Sequence, residues 1–148
     1  MRTLKIVTLA FAILIGTNAN AQSENSKSDI EQITETLMDY IDGTANGEPE
    51  RLRRAFHPDF NLYSVTKEDS LRIWSGKDYI GKMRIGEKNN RIGRIISIDY
   101  ENNAAIAKAE IDIPNWKIFT DFFLLLKYED SWKIVHKSYT WREYPKKQ

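Results

Sequence analysis

The chain has 148 residues, with 22 Lys and Arg against 21 Asp and Glu, and 41% of its residues are hydrophobic. This near balance of charge gives no basis for binding nucleic acid or an anionic membrane surface. Cysteine is absent, which excludes disulfides, thiolate metal sites, a cysteine nucleophile and the lipid anchor of a bacterial lipoprotein.

The first 21 residues have the pattern of a secretory signal peptide. Arg2 and Lys5 precede an apolar run over residues 6–15, which is shorter than the roughly 20 residues that span a bilayer. Ala19 and Ala21 then supply the small side chains of a cleavage site. We expect cleavage after Ala21, which leaves a periplasmic or secreted protein without a membrane anchor. Since Arg2 and Lys5 are removed, this mature chain has 20 basic and 21 acidic residues.

The mature chain is long enough for one hydrophobic core and too short for two. Residues 22–27 are polar and without a hydrophobic period, so we expect a disordered lead-in. A single domain is predicted over residues 28–144, and residues 145–148 form a tail.

Two helices are predicted at the start of the domain. Ser28 and Glu31 have the spacing of a capping box, and apolar residues then recur every three or four positions up to residues 43–47. Pro49 opens a second, short helix. Pro58 is predicted to end it, because proline disfavours helical geometry at the residue before it.

Two short strands and a third helix follow. Residues 60–63 and 71–74 are rich in β-forming side chains and flank a polar turn at residues 66–70. Ser75 then has the position of an N-cap, which predicts a short helix with Tyr79 on its apolar side.

Four β-rich runs make up the carboxyl-terminal half. They cover residues 92–101, 104–113, 116–128 and 132–141, and tight turns between them predict an antiparallel meander. The third run is apolar on both faces, so we expect helices on one face and a second subunit on the other. The element order predicts an α+β fold, with the helices packed into the concave side of a curved antiparallel sheet.

Short motifs agree with this order. They are Tyr-Ile-Asp-Gly at residues 40–43, Ala-Phe-His-Pro-Asp-Phe at 55–60, Trp-Ser-Gly at 74–76 and Trp-Lys-Ile-Val at 132–135. In these motifs the chain resembles the nuclear transport factor 2-like superfamily, and within it the SnoaL-like and lumazine-binding branch. The resemblance implies a cone-shaped, cystatin-like domain with a pocket at its open end. It also implies dimers and a choice between isomerases, cyclases or dehydratases and non-catalytic binding proteins.

Catalysis in such a pocket requires a general base and a hydrogen-bond donor where negative charge develops. Asp121 is the best candidate base, because it interrupts an apolar strand in which a buried carboxylate needs a partner. A cross-strand or inter-subunit ion pair is the alternative role for this carboxylate. Strand alternation places Thr120 on the opposite face, so only one of the two residues can face the pocket.

His136 is the second candidate base. It shares strand parity with Trp132 and Ile134, which predicts an imidazole that points into the pocket. A semi-buried histidine, or one on a dimer face, is the alternative, since parity does not identify the concave side. His57, in the Phe-His-Pro-Asp turn, is expected to cap a helix end or to bind a backbone carbonyl.

Aromatic residues are the expected lining of the pocket, because they offer a ligand apolar area with a polar edge. Together with His136, the candidates are Tyr40, Tyr63, Trp74, Tyr79 and Trp116. The alternative role of each is in the core. We expect no metal site and no cofactor, since the sequence has neither a His-Glu-x-x-His motif nor a phosphate-binding glycine loop.

The sequence therefore predicts an exported domain that binds a small apolar or aromatic molecule and forms a homodimer through a sheet face. One alternative is a cofactor-independent isomerase, cyclase or dehydratase, in which Asp121 or His136 is the base and a tyrosine hydroxyl the electrophile. Such an enzyme requires the base inside the pocket beside a Tyr or Trp donor. The other alternative is an interaction or structural module, which requires a filled interior and an exposed apolar sheet face.

Overall fold

The computed structural model describes residues 27–145. The predicted signal peptide, residues 22–26 of the predicted lead-in and residues 146–148 lie outside this range. The described residues form three helices and six strands in the predicted order. Their bounds are α1 Asp29–Asn46, α2 Pro49–Ala55, β1 Phe56–Val65, β2 Leu71–Ser75, α3 Gly76–Gly81, β3 Ile92–Glu101, β4 Ala104–Ile113, β5 Lys117–Tyr128 and β6 Ser131–Glu143. Within residues 27–145, no helix is long and apolar enough to cross a membrane.

Helix α1 begins and ends as its sequence predicts. The Ser28 hydroxyl accepts the backbone N–H of Glu31, and the Glu31 carboxylate accepts the backbone N–H of Ser28, which completes the capping box. At the other end, Gly47 is left-handed with a φ of 65°, and a Cβ there would lie 2.4 Å from the carbonyl oxygen of Arg84. Glycine is therefore required, both for this φ and for the close approach of the segment after α3.

Helix α2 ends earlier than its sequence predicts. Pro49 lies in its first turn as expected, but Phe56 is already extended, with a φ of −98° and a ψ of 146°. His57 and Pro58 therefore belong to strand β1. Proline fits there because the pairing of β1 with β6 is irregular between Phe56 and Asn61, where a missing N–H removes no ladder hydrogen bond.

The six strands form one sheet in the order β2-β1-β6-β5-β4-β3. All neighbouring pairs are antiparallel except β1 and β6, which are parallel. The predicted antiparallel meander is present from β3 to β6, whereas β1 pairs in parallel with the last strand. Parallel neighbours require a long crossover, and here the crossover contains most of the domain.

Alternation along the strands gives the sheet one covered and one open face. Ala105, Ala107 and Ala109 of β4 are buried on the covered face, in one core with Ile33 and Leu37 of α1. The helices therefore pack on this face, as expected. The opposite face, which we call the outer face, carries large apolar side chains with 40–59% of their surface exposed, namely Ile106, Phe122, Leu124 and Leu126.

Strand β6 contains a β-bulge at Val135. Leu124 of β5 is paired with His136, whereas the next residue, Leu125, is paired with Ile134. Val135 is therefore an extra residue in β6. An extra residue reverses the alternation of the side chains that follow it.

The bulge decides which side chains of β6 point towards the helices. Trp132 and Ile134 precede the bulge and are buried in the core, and Lys137 follows it and is buried on the same side. His136 consequently lies on the outer face. The expectation that His136 shares a face with Trp132 and Ile134 is wrong, because simple alternation does not account for the extra residue.

Candidate functional site

A cavity of about 160 Å³ lies between the helices and the covered face of the sheet. We call it the inner cavity. Most of its wall is aromatic, and the aromatic residues are Tyr40, Trp74, Tyr79, Trp116, Phe119 and Tyr139. The remaining residues of the wall are Leu62, Arg91, Ile111, Asp121 and Lys137.

A second cavity, of about 330 Å³, adjoins the inner one and is more open to solvent. We call it the outer cavity. The two cavities share Trp74, Tyr79 and Arg91 as lining residues, so the outer cavity leads to the inner one. Its wall also contains charged side chains, namely Lys82, Arg84 and Glu87.

Tyr40, Asp121 and Lys137 form a hydrogen-bonded cluster in the wall of the inner cavity. Tyr40 Oη donates to Asp121 Oδ2 at 2.5 Å. Lys137 Nζ donates to the same carboxylate oxygen at 2.9 Å and to Tyr40 Oη at 2.7 Å. The three residues are 2%, 1% and 4% exposed, respectively, so the cluster is almost fully removed from water.

Strand register brings the cluster together. Asp121 of β5 is paired with Tyr139 of β6, and Lys137 is paired with Phe123, so the carboxylate and the ammonium are diagonal neighbours on one face. A long lysine side chain spans this diagonal. On the other side of Asp121, the small Ala109 of β4 leaves space beside the carboxylate.

The second carboxylate oxygen of Asp121 has no such partner. Oδ1 is buried and accepts no hydrogen bond from any residue between 27 and 145. Leaving a buried polar atom unpaired costs about 1–3 kcal/mol. Because Asp121 belongs to the cavity wall, a hydrogen-bond donor on a ligand is the kind of group that would satisfy Oδ1.

Burial raises the pKa of the Tyr40 hydroxyl well above its ordinary value, and the neighbouring negative charge of Asp121 raises it further. The positive charge of Arg91 acts on this pKa in the opposite direction and is outweighed. Tyr40 therefore keeps its proton at neutral pH and remains a hydrogen-bond donor.

The structure brings some of the predicted ligand-binding residues together and separates others. Tyr40, Trp74, Tyr79 and Trp116 line the inner cavity. Tyr63 does not, because odd-numbered residues of β1 face outward.

Two histidines also lie away from the inner cavity. His136 stacks on Tyr63 on the outer face, with 4.6 Å between the ring centroids and 14° between the ring planes. His57 does not cap a helix end; its Nδ1 accepts the backbone N–H of Asp59 at 3.2 Å.

Of the two predicted candidate bases, Asp121 lines the inner cavity and His136 does not. Thr120 alternates with Asp121 and faces outward, so the two residues lie on opposite faces, as expected.

Sequence reasoning missed Lys137 and Arg91. Lys137 lies two residues before Tyr139, so alternation counted back from the end of β6 places both side chains on the same, inner face. Alternation counted forward from Trp132 crosses the bulge and places Lys137 on the outer face instead. Arg91 precedes β3 in an irregular segment, where no periodic pattern indicates its position.

The cluster does not have the composition of a metal site. Within the described residues, no group of three or more His, Asp or Glu side chains is placed to hold a metal ion. Asp121 is paired with an ammonium group, which competes with a cation for the carboxylate.

Comparison with known families supports the fold and a binding role. Residues 28–140 match the family described as “Putative lumazine-binding”. The chain is also similar to the protein named Aldolase FrzH from a Cladobotryum species, with 24% identity over 124 residues, which are 82% of this chain and 96% of that protein.

Solved structures of NTF2-like proteins of unknown function are similar as well. The one from Shewanella baltica is 26% identical with a TM-score of 0.69, covering 80% of this chain and 100% of its own. The one from Methylobacillus flagellatus is 30% identical with a TM-score of 0.68, covering 80% of this chain and 96% of its own. A cystatin-like domain from Nostoc punctiforme, 14% identical with a TM-score of 0.59 and a coverage of 78% of each chain, shares the fold. The predicted NTF2-like, cystatin-like fold is confirmed.

Proposed function

The chain belongs to the “Putative lumazine-binding” family of NTF2-like domains, and from this membership we propose that it is an exported protein that binds a small, largely apolar or aromatic molecule. The inner cavity is the proposed binding site. One observation carries the proposal: an aromatic cavity contains a buried carboxylate, Asp121, with one oxygen that lacks a donor. Ligand pockets typically combine such apolar walls with a few polar groups that fix orientation.

The size of the inner cavity limits the ligand. Cavities of about 150 Å³ in other proteins hold a molecule the size of benzene. The inner cavity, at about 160 Å³, is suited to one small ring, and the adjoining outer cavity has space for a substituent.

Native mass spectrometry of the protein purified from its own periplasm tests the proposal. We expect a ligand mass in addition to the mass of a chain that begins at Gln22. Phe119→Trp adds volume to the wall of the inner cavity and should abolish ligand retention. Phe122→Trp is the matched control, since the same change three positions along β5 lies on the outer face. Equal ligand retention by both variants would contradict binding in the inner cavity. A purified chain that still carries Met1–Ala21 would contradict the proposed export.

Dimerisation through the outer face is part of the same proposal. Four large apolar residues there are at least 40% exposed. A group of neighbouring exposed apolar side chains commonly marks a protein interface. The face is central to the sheet, where β4 and β5 are neighbours. A second copy of the chain would cover this surface.

A second candidate function is cofactor-independent carbonyl chemistry. Two observations favour it: a candidate base, Asp121, lies in the cavity, and the chain is similar to a protein named an aldolase. In such a reaction Asp121 Oδ1 removes a proton from the carbon next to a carbonyl, and the resulting enolate adds to a second carbonyl carbon. The proton then returns to the new alkoxide, so atoms and charge balance without a redox partner.

The hydroxyl of Tyr40 is already engaged by Asp121, so the donor to the developing enolate oxygen would come from another group. Tyr79 and Tyr139 line the same cavity and carry hydroxyls. These residues correspond to the tyrosine electrophile that the sequence predicts for an enzyme.

Exchange of the methyl protons of acetophenone in deuterated buffer tests this second function by NMR. An enzyme of this class accelerates the exchange above the buffer rate, and Asp121→Asn removes the acceleration. Asp99→Asn is the control, since Asp99 is exposed on β3, and this variant should accelerate the exchange of the acetophenone protons as much as the parent does. A rate equal to that of buffer, or an unchanged rate in Asp121→Asn, would reject the carbonyl chemistry.

A further inference from the structure

Arg91 lines both cavities at the place where they meet. It lies between α3 and β3 and is half-buried. No carboxylate of residues 27–145 forms an ion pair with it, whereas most other arginines of this range are paired. Arg72 is also unpaired within this range, but it is exposed on β2 and lines neither cavity.

The walls of the two cavities carry an excess of positive charge. Asp121 and Lys137 neutralise each other, and Glu87 is paired with Arg84 at 3.3 Å. The charges that remain are those of Arg91 and of Lys82, whose ammonium lies 4.5 Å from the centre of the Trp74 ring. An anionic group at the junction of the cavities would therefore meet two cations and no uncompensated carboxylate of the wall.

Arg91 is close enough to the cluster to act on it. Its positive charge lowers the pKa of the Tyr40 hydroxyl against the larger effect of burial. A molecule bound between Arg91 and Asp121 would thus contact a cation at one end and an unsatisfied carboxylate oxygen at the other. Six aromatic residues line the same inner cavity.

We propose that the ligand is a small aromatic carboxylate with a hydrogen-bond donor on its ring: the carboxylate binds Arg91, the ring lies in the inner cavity, and the donor meets Asp121 Oδ1. This inference rests on the proposed binding function and names the chemical class of the ligand. A guanidinium group presents parallel N–H donors that match a carboxylate in a bidentate geometry. Lys82 contributes a second positive charge at the entrance.

Calorimetric titration with 4-hydroxyphenylacetate and with 4-hydroxyphenylacetamide tests the class of ligand. Both probes carry the ring donor and have the same shape, and only the acetate carries a charge. We expect the parent protein to bind the acetate more tightly by about tenfold to a hundredfold, as charged hydrogen bonds typically contribute. Arg91→Gln should reduce the affinity for the acetate to that for the acetamide, and Arg91→Lys should restore part of the difference.

Lys88→Gln is the matched control, because Lys88 is exposed three residues before Arg91, lines neither cavity and carries the same charge. It should keep the preference for 4-hydroxyphenylacetate. Phe119→Trp should weaken both probes, which locates them in the inner cavity.

Equal binding of both probes by the parent, or a preference that persists in Arg91→Gln, overturns the carboxylate assignment. In either case binding of the ring itself leaves the proposed function standing. Failure of both probes to bind also overturns the assignment, and native mass spectrometry then decides on the binding function separately. Binding of 4-hydroxyphenylacetate that is unaffected by Phe119→Trp lies outside the inner cavity and counts against the inference.

Discussion

Lys137 Nζ lies 2.9 Å from Asp121 Oδ2, and the exposed fractions of the two side chains are only 5% and 1%. Burying two charges costs several kcal/mol each, so such a pair adds little net stability over apolar residues of similar size. Its position in the wall of a cavity gives it a different role: it holds a carboxylate in a fixed orientation where a ligand can reach it.

Removing one member of this pair should be far more harmful than replacing the whole cluster. Lys137→Met leaves the Asp121 carboxylate buried without its cation, and we expect a loss of about 3–5 kcal/mol in the free energy of unfolding. The triple variant Tyr40→Phe, Asp121→Leu, Lys137→Met removes all three polar groups and should recover most of that loss. Urea denaturation measures both. A Lys137→Met variant as stable as the parent would show that the pair is not buried in solution.

The Tyr40 hydroxyl should make the protein less stable at alkaline pH. Its pKa is raised by burial in the folded state, so between about pH 10 and that higher pKa only the unfolded chain loses the proton. Stability is fully present below this range and falls as the pH rises through it. Tyr40→Phe should flatten the dependence of the unfolding free energy on pH above about 10, relative to the control Tyr100→Phe. Identical pH dependence in the two variants would contradict the raised pKa.

His136→Ala should change stability by less than about 1 kcal/mol and leave ligand retention unchanged, because this half-buried ring stacks on Tyr63 away from the cavities. Lys137→Ala, at the next position, should lose the ligand. Thermal unfolding and native mass spectrometry provide the two measurements. Loss of ligand in His136→Ala would mean that the imidazole, not the ammonium, faces the inner cavity.

Alanine substitutions at two glycines of positive φ distinguish the energetic cost of backbone strain from that of a steric clash. Gly86 has a φ of 73° with open space around a Cβ, so Gly86→Ala should cost about 1 kcal/mol through strain alone. Gly47→Ala adds a contact of 2.4 Å with the carbonyl oxygen of Arg84 and should cost about 2 kcal/mol or more. Denaturant midpoints of the two variants give the difference. Equal losses would mean that the segment around Arg84 moves away without cost.

A charge on the outer face should dissociate the proposed dimer. Phe122→Lys together with Leu124→Lys places two ammonium groups on the exposed apolar surface, and we expect light scattering to report the mass of one chain. Ile85→Lys is the control, since Ile85 is 83% exposed and lies outside both the outer face and the cavities. A monomeric parent protein, or a doubly substituted variant that remains dimeric, would contradict the proposed interface.

The element order could be predicted from the sequence because local signals agreed with one another. The capping box at Ser28 and Glu31, the glycine at residue 47 and the turn residues at 102 and 115, which adopt positive φ, all act within a few residues of chain. The bounds of β3 and β4 are those the period of two predicts.

The candidate site could be predicted only in part, because it depends on register between distant residues. Asp121 stood out as a charge in an apolar strand, but its partners, Tyr40 and Lys137, come from α1 and β6. Parity assigned the wrong residue of β6 to the pocket, since a bulge at Val135 has no local sequence signature. Arg91 acquires its position from the close packing of the α3–β3 segment against the end of α1, where Asn89 N–H donates to the carbonyl of Ala45.

The extra residue at Val135 sets which of two neighbouring side chains meets Asp121. Deleting Val135 would leave Ile134 opposite Leu125 and His136 opposite Leu124 in a regular ladder, so Lys137 would still face the carboxylate. A last strand that kept all its residues but paired without the bulge would instead turn Lys137 towards the outer face and bring the imidazole of His136 beside Asp121. Within a family built on this sheet, the pairing of the last strand is consequently as informative about reactivity as the identities of its residues.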